Sequence, residues 1–236
     1  MSQSAVPPVG EGFRSLNQQV YSALLAAIAE LRITPGQRLL LDELAAQLKV
    51  SRTPIRVALT RLAAEGLIQP NGRQGFVVTV LSASELLELY DLRQMCECFA
   101  VEKGMHNVTP RMLDEMERVI IRTPNPDGEP DPAERLAHVL TDREFHRTIV
   151  ALARNRRLID TFERFNIHIH GLRVGPLPVS PRERIVMDNT DHSAIIQALR
   201  DGSVAAARQA IAAHIANASR RAIASMELAQ IKGDQV

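Results

Sequence analysis

The chain has 236 residues, 45% of them hydrophobic and 23% charged, with a formal net charge of +1. That length suits one large domain or two smaller ones with ordinary globular cores. Uninterrupted apolar runs fall well short of the roughly 18 residues a membrane span needs, and the opening "MSQSAVPPVGEGF" has neither the basic region nor the apolar core of a secretory signal. A cytoplasmic protein that makes no use of the membrane is therefore expected.

The charge is uneven. Residues 1–80 hold 8 Lys/Arg against 5 Asp/Glu, and residues 81–236 hold 20 against 22. A basic excess confined to the smaller part points to an anionic partner there, such as nucleic acid. The only two cysteines, Cys96 and Cys98, stand two residues apart. On a helix they face different sides, so they read as small apolar side chains in a reducing compartment, not as a disulfide.

In chain order, residues 1–15 read as a flexible tail. "LNQQVYSALLAAIAEL" (16–31) repeats Val20, Leu24, Ile28 and Leu31 at helical spacing. "TPG" (34–36) is a turn. "LDELAAQLKV" is a second, short helix with Leu41, Leu44, Ala45 and Leu48 on one face. Ser51 is a natural N-cap and Pro54 fits the first turn of a third helix, "RTPIRVALTRLAAEG". Ile55, Leu59 and Leu62 form its inner stripe, whereas Arg52, Thr53, Arg56 and Thr60 lie off it. "LIQP", "NGRQG" and "FVVTV" then read as strand, turn and strand.

Three helices followed by a hairpin are the order of a winged helix-turn-helix over residues 16–80. In that arrangement the third helix enters the major groove with its N-terminal residues against base edges. An arginine there can grip a guanine edge with two hydrogen bonds, and Ser51 with the helix N-terminus suits a phosphate. Periodicity alone equally allows Arg52 and Arg56 to be a solvated helix face. "PGQRLLLDELAAQLKVSRTPIRVALTRLAAEGLI" followed by "GRQGFVV" resembles the DNA-binding domain of the GntR family of bacterial transcription regulators. The resemblance implies that Ser51, Arg52, Thr53, Arg56 and Thr60 meet DNA, with Gly72 and Arg73 of the wing in the minor groove. Leu40 and Leu41 depart from the polar residues and capping serine usual there, which leaves Asp42 as the candidate cap of the second helix.

Beyond the joint "VLSAS" (80–84), Ser82 and Glu85 are spaced as a capping box. The helix they open runs to about His106, with Leu86, Leu89, Leu92, Met95 and Phe99 as its expected core. Further helices are expected from Pro110 to near Arg122, from Asp131-Pro132 to Ala153, over 156–172, over 181–200 and over 203–231. "TPNPDGEPDP" and "VGPLPVSP" read as loops. With no strand pattern in this half, residues 84–231 predict an all-α bundle of six or seven helices, and the whole chain a mainly α protein.

Of the seven histidines, His106, His138, His168 and His170 read as surface or ordinary core residues. His146 stands one turn after Asp142, and His192 and His214 sit among isoleucines on two late helices. Asp and His at i, i+4 face the same way. A carboxylate with imidazoles from three helices suits a transition metal; a buried His–Asp hydrogen bond is the other reading of the same spacing.

"LYDLRQMCECFAVEKG", "DREFHRTIVALARN" and "DHSAIIQALRDGSVAAARQAIAAHI" resemble the all-helical FCD effector domain, found in the FadR-like branch of the GntR regulators. The resemblance implies a metal held by Asp142, His146, His192 and His214, with zinc first and nickel or manganese as alternatives. It also implies that Arg93 and the neighbouring Glu97 belong to an effector site. Cys96 replaces the usual aliphatic neighbour, and "RDGS" replaces the usual acidic turn before the last helix.

The reading is a homodimeric transcription regulator, a repressor, that binds palindromic operator DNA and is controlled by a small carboxylic acid at the metal. The alternative is a regulator for which the metal itself is the signal. A metal hydrolase is disfavoured, because no HExxH-type motif supplies a general base. A third reading is a DNA-bound architectural protein whose bundle only dimerises, which effector-independent DNA affinity would favour.

Overall fold

The computed structural model describes residues 15–29, 32–72, 75–121, 130–172 and 179–233. The chain divides into two compact units between Leu81 and Ser82. Most of "TPNPDGEPDP" and most of "VGPLPVSP" lie outside the described residues.

In the first unit, α1 (Leu16–Ala29) packs on α3 (Arg52–Ala64), and α2 (Leu41–Leu48) packs on α3 from another side. Val20, Leu24, Ala27 and Ile28 of α1 are buried, as are Ile55, Leu59 and Leu62 of α3. Polar contacts fix the α1–α3 pairing. Tyr21 donates to Glu65 Oε2 at 2.6 Å, and the Arg61 guanidinium stacks 3.7 Å from the Tyr21 ring centre. The hairpin strands β2 (Ile68–Pro70) and β3 (Phe76–Val78) are antiparallel, and β1 (Arg38–Leu39) adds to the other edge of β3, with Leu39 opposite Phe76. The "TPG" turn thus leads into a two-residue strand too short to show an alternating pattern. Gly75 is required here. Its φ is +124°, and a Cβ would lie 2.4 Å from the Leu39 carbonyl oxygen.

The second unit contains α4 (Ala83–Gly104), a 3₁₀ turn (Met105–Asn107), α5 (Pro110–Ile121), α6 (Pro132–Ala151), α7 (Arg156–Leu172), α8 (Pro181–Arg200) and α9 (Val204–Gly233). Helix α4 packs against α6, α7 and α9, and α8 lies against α5 and α9. Reciprocal capping boxes start α4, α6 and α8, formed by Ser82 with Glu85, Asp131 with Glu134 and Ser180 with Glu183. Gly104 lets the end of α4 meet the end of α6, where a Cβ would sit 2.1 Å from the Leu152 carbonyl oxygen. Among the described residues, no helix is long and apolar enough to cross a membrane.

One expectation fails on α4. Leu92, Met95 and Phe99 are not core; they are 41%, 61% and 46% exposed. The buried stripe is Leu86, Tyr90, Arg93, Cys96, Glu97, Ala100 and Val101. Apolar residues lie on several sides of this helix, and its inward face is partly given to a buried Arg–Glu pair.

Candidate metal centre and nucleic-acid interface

Three helices of the second unit aim polar side chains at one point. Helix α6 contributes Asp142 and His146, α8 His192 and α9 His214, and these four are between 0% and 2% exposed. One candidate ligand atom from each lies within 4.8 Å of the others. His146 Nε2 is 3.2 Å from His192 Nε2, and Asp142 Oδ1 is 3.4 Å from His192 Nε2 and 3.7 Å from His146 Nε2. Ligands about 2.0–2.1 Å from a tetrahedral zinc are separated by about 3.3 Å. The rings of His146, His192 and His214 have centroids 4.6 to 5.1 Å apart.

The surroundings orient these donors. Glu97 accepts from His146 Nδ1 at 2.8 Å, which leaves Nε2 turned to the cluster, and accepts from Arg93 Nε at 2.9 Å. Glu97 therefore stands behind a candidate ligand. Arg93 Nη2 reaches to 3.8 Å from Asp142 Oδ2. Phe145 stacks on His192 with centroids 4.1 Å apart. His214 Nδ1 makes a poorly aligned approach to Asp191 Oδ2 at 3.4 Å, and its Nε2 has no hydrogen-bond partner in the protein. Burying an imidazole without a partner is costly, and a cation at the convergence point would offset that cost. Three imidazoles and one carboxylate suit zinc or a neighbouring transition metal, so the donor set fits one.

Electrostatics favour the same state. Burial drives His214 from its ordinary 6.5 down to about 3, against an opposing pull from Asp191. Burial also lowers His192, although Asp142 pulls the other way. Burial alone raises Glu97, but His146 and Arg93 together outweigh it and hold the group below the usual carboxylate range. The rings of His192 and His214 are thus held neutral, the form that binds a metal.

A second polar layer adjoins the first, and sequence reasoning passed over it. His138, Asp142 and His146 repeat every fourth residue on α6, as Arg184, Asp188 and His192 do on α8. His138 Nε2 lies 3.1 Å from Asp188 Oδ2, and Arg221 of α9 donates to Asp188 Oδ1 at 2.6 Å. His138 had read as ordinary; the fourfold repeat on both helices was the available signal. Of the other three, His106 is exposed and His168 half-buried, and the His170 side chain lies outside the described residues.

In the first unit, Ser51, Arg52, Thr53, Arg56 and Thr60 are all exposed on α3 or at its start. Arg52, Arg56 and Thr60 line a groove shared with Gly72 and Phe76 of the hairpin. Arg73 lies outside the described residues. Ser51 occupies the N-cap position, but its hydroxyl makes no capping hydrogen bond, which leaves this helix end open to an anion. Asp42 is not the cap of α2. Leu40 holds that position, and Asp42 instead pairs with Arg52 Nε at 2.5 Å.

The model for the FCD domain matches residues 88–217, and that for bacterial regulatory proteins of the gntR family matches residues 16–78. The chain is 39% identical to the Nta operon transcriptional regulator of Aminobacter aminovorans over 127 residues, 54% of this chain and 59% of that protein, which is less than two thirds of its length. It is 28% identical over 196 residues to the HTH-type transcriptional regulator YdhC of Bacillus subtilis (strain 168), covering 83% of this chain and 86% of that one. It is likewise 28% identical over 207 residues to the HTH-type transcriptional repressor RspR of Escherichia coli (strain K12), covering 85% and 86%. Among solved structures, E. coli McbR/YncC aligns with a TM-score of 0.71 at 21% identity, over 87% of this chain and 95% of that one. A GntR regulator from Rhodococcus sp. RHA1 aligns with a TM-score of 0.71 at 22% identity, over 90% and 99%. At those identities the likeness is one of fold.

The lowered pKa values of His192 and His214 make the metal-free protein acid-sensitive. An unfolded histidine takes up a proton near pH 6.5 and the buried one does not, so stability falls as pH drops below about 6.5. Chelated protein should melt several degrees lower at pH 5 than at pH 7, and His214→Leu should reduce that difference. A flat melting profile between these pH values in the wild type would contradict the neutral buried cluster.

Proposed function

The chain belongs to the GntR family of bacterial regulatory proteins as a DNA-binding transcription regulator with an FCD domain, and we propose that a small carboxylate bound beside a metal in that domain controls its hold on operator DNA. The observation that carries this reading is the buried Asp142, His146, His192 and His214 cluster with Arg93 at its edge. With the imidazoles neutral, Arg93, Glu97 and Asp142 sum to one negative charge. A divalent metal, zinc by preference and nickel or manganese as alternatives, would turn that into one positive charge. A buried net charge is costly, and a single carboxylate beside Arg93 neutralises it. Glu97, itself acidic, takes the role of holding His146 and Arg93 in place rather than meeting the acid.

Two copies suit a palindromic operator, because a two-fold dimer matches two-fold DNA. The exposed Leu92, Met95 and Phe99 on α4 offer an apolar face for that pairing. Ser51, Arg52, Thr53, Arg56 and Thr60, with Gly72 and Arg73 of the wing, are assigned to the DNA surface. An acid that prefers one arrangement of the bundle shifts the population towards it, and release of a repressor from DNA is the outcome assigned here. Such a regulator works in the cytoplasm. A second reading, in which the metal alone is the signal, draws on the burial of the cluster and on its four protein ligands, enough to close a tetrahedral shell.

Fluorescence anisotropy on a duplex selected from a random pool separates these readings. With zinc bound, an effective acid should weaken DNA binding by roughly 5- to 150-fold, and Arg93→Gln should abolish the response while leaving acid-free affinity unchanged. Arg52→Ala and Arg56→Ala should each cost about 1–3 kcal/mol of binding, and Met95→Glu should yield monomers in light scattering. If no acid alters DNA affinity and zinc alone does, the metal is the signal. If neither has an effect, the control model fails.

A further inference from the structure

We infer that Asp42 is a positioning residue for base reading: its carboxylate holds Arg52 by the Nε side, so that the outer edge of the guanidinium is presented to one guanine, while its charge weakens the hold on unrelated DNA. This rests on the assignment of Arg52 to the DNA surface and names the group that aims it.

The pair spans the helix-turn-helix. Asp42 stands in the first turn of α2, Arg52 is the first residue of α3, and Asp42 Oδ1 lies 2.5 Å from Arg52 Nε. The helix dipole favours an acid in the first turn of a helix and disfavours a cation there. Arg52 therefore sits where the α3 dipole opposes it, beside a Ser51 N-cap that forms no side-chain capping bond. The contact contributes little to the fold. Its side chains are 68% and 67% exposed, and an ion pair so open to water adds little stability.

The groove gives the pair a task. Arg52, Arg56 and Thr60 line it from α3, and Asp42 and Glu43 line it from α2. Among the described lining residues, the arginines are thus matched by acids. Acids facing a polyanion oppose the phosphate attraction that supplies most sequence-independent binding, and a feature that penalises wrong partners raises selectivity. Asp42 combines this with an anchor on a reading residue. The Arg52 side chain has no other polar partner among the described residues. With Nε engaged, Nη1 and Nη2 remain as paired donors. That edge can grip the O6 and N7 acceptors of a guanine in the major groove. A long side chain already held in one geometry loses less freedom when it binds. Arg56 shares the groove without an acidic partner among the described residues, which makes it the internal comparison.

Selection of the full-length protein on a random duplex pool, followed by sequencing, tests this together with fluorescence anisotropy on an unrelated duplex. The wild type should select a guanine at one position of its site, and Arg52→Ala should lose that preference. Asp42→Ala should weaken the preference at the same position by about five-fold or more and leave the position lost in Arg56→Ala unchanged. It should also bind the unrelated duplex about two-fold or more tightly. Asp42→Asn, which keeps an acceptor but loses the charge, should gain the same non-specific affinity yet retain part of the guanine preference. Because both side chains are exposed, these variants should melt as the wild type does. If Asp42→Ala tightens selected and unrelated duplexes by one factor with base preferences intact, Asp42 is only a repulsive charge and the inference is overturned. If it alters the preference at a position that Arg52→Ala leaves alone, Asp42 meets DNA itself and the inference is likewise overturned. If Arg52→Ala changes no base preference, the assignment of Arg52 fails and the inference fails with it.

Discussion

Three imidazoles and a carboxylate meet in the interior of a helical bundle almost out of reach of water, and that burial has to be compensated. The compensation is visible for part of the cluster. Glu97 satisfies one nitrogen of His146 and the Nε of Arg93, and it is itself held ionised by both. His214 has no matching arrangement, since its Nε2 has no partner and its Nδ1 only a poorly aligned one. A cation at the point where the rings converge would resolve this imbalance. The same cation would convert a site of net negative charge into one that attracts an acid. Metal and effector are therefore linked through one charge balance rather than two independent pockets.

The helices that supply these groups are set by local chemistry. Reciprocal capping boxes fix the starts of α4, α6 and α8, and so fix the phase in which Arg93, Asp142 and His192 turn inward. The close approach at Gly104, where a side chain would collide with Leu152, brings the end of α4 against that of α6. The DNA-reading unit relies on a separate small core between α1 and α3, which leaves the outer face of α3 to Arg52, Arg56 and Thr60.

Much of this was legible in the residues. Ser-x-x-Glu spacings and prolines marked helix starts, and Asp142 and His146 at four-residue spacing named the face on which the cluster lies. Their union with His192 and His214 depended on family resemblance, because no local rule brings three helices to one point. The inward face of α4 was misread. Leu92, Met95 and Phe99 look like core by hydrophobicity, yet the buried stripe carries Arg93 and Glu97, whose burial only their partners on other helices can stabilise. Strand β1 is two residues long, and such a segment has no period to detect. The second polar layer escaped notice because each of its members is unremarkable alone, although the fourfold repeats on α6 and α8 were present in the sequence.

Both the compensation of the buried imidazoles and the attraction of an acid require that the buried cluster hold a metal. The most direct measurement is the metal content of the purified protein by native mass spectrometry and elemental analysis, after zinc loading and desalting. It should be made on the wild type and on Asp142→Asn and His214→Gln. The wild type should hold one metal ion per chain, with occupancy lost or sharply reduced in both variants while their helical content is kept. A wild-type chain that retains no metal after loading, or variants that retain it fully, would contradict a metal held at this cluster.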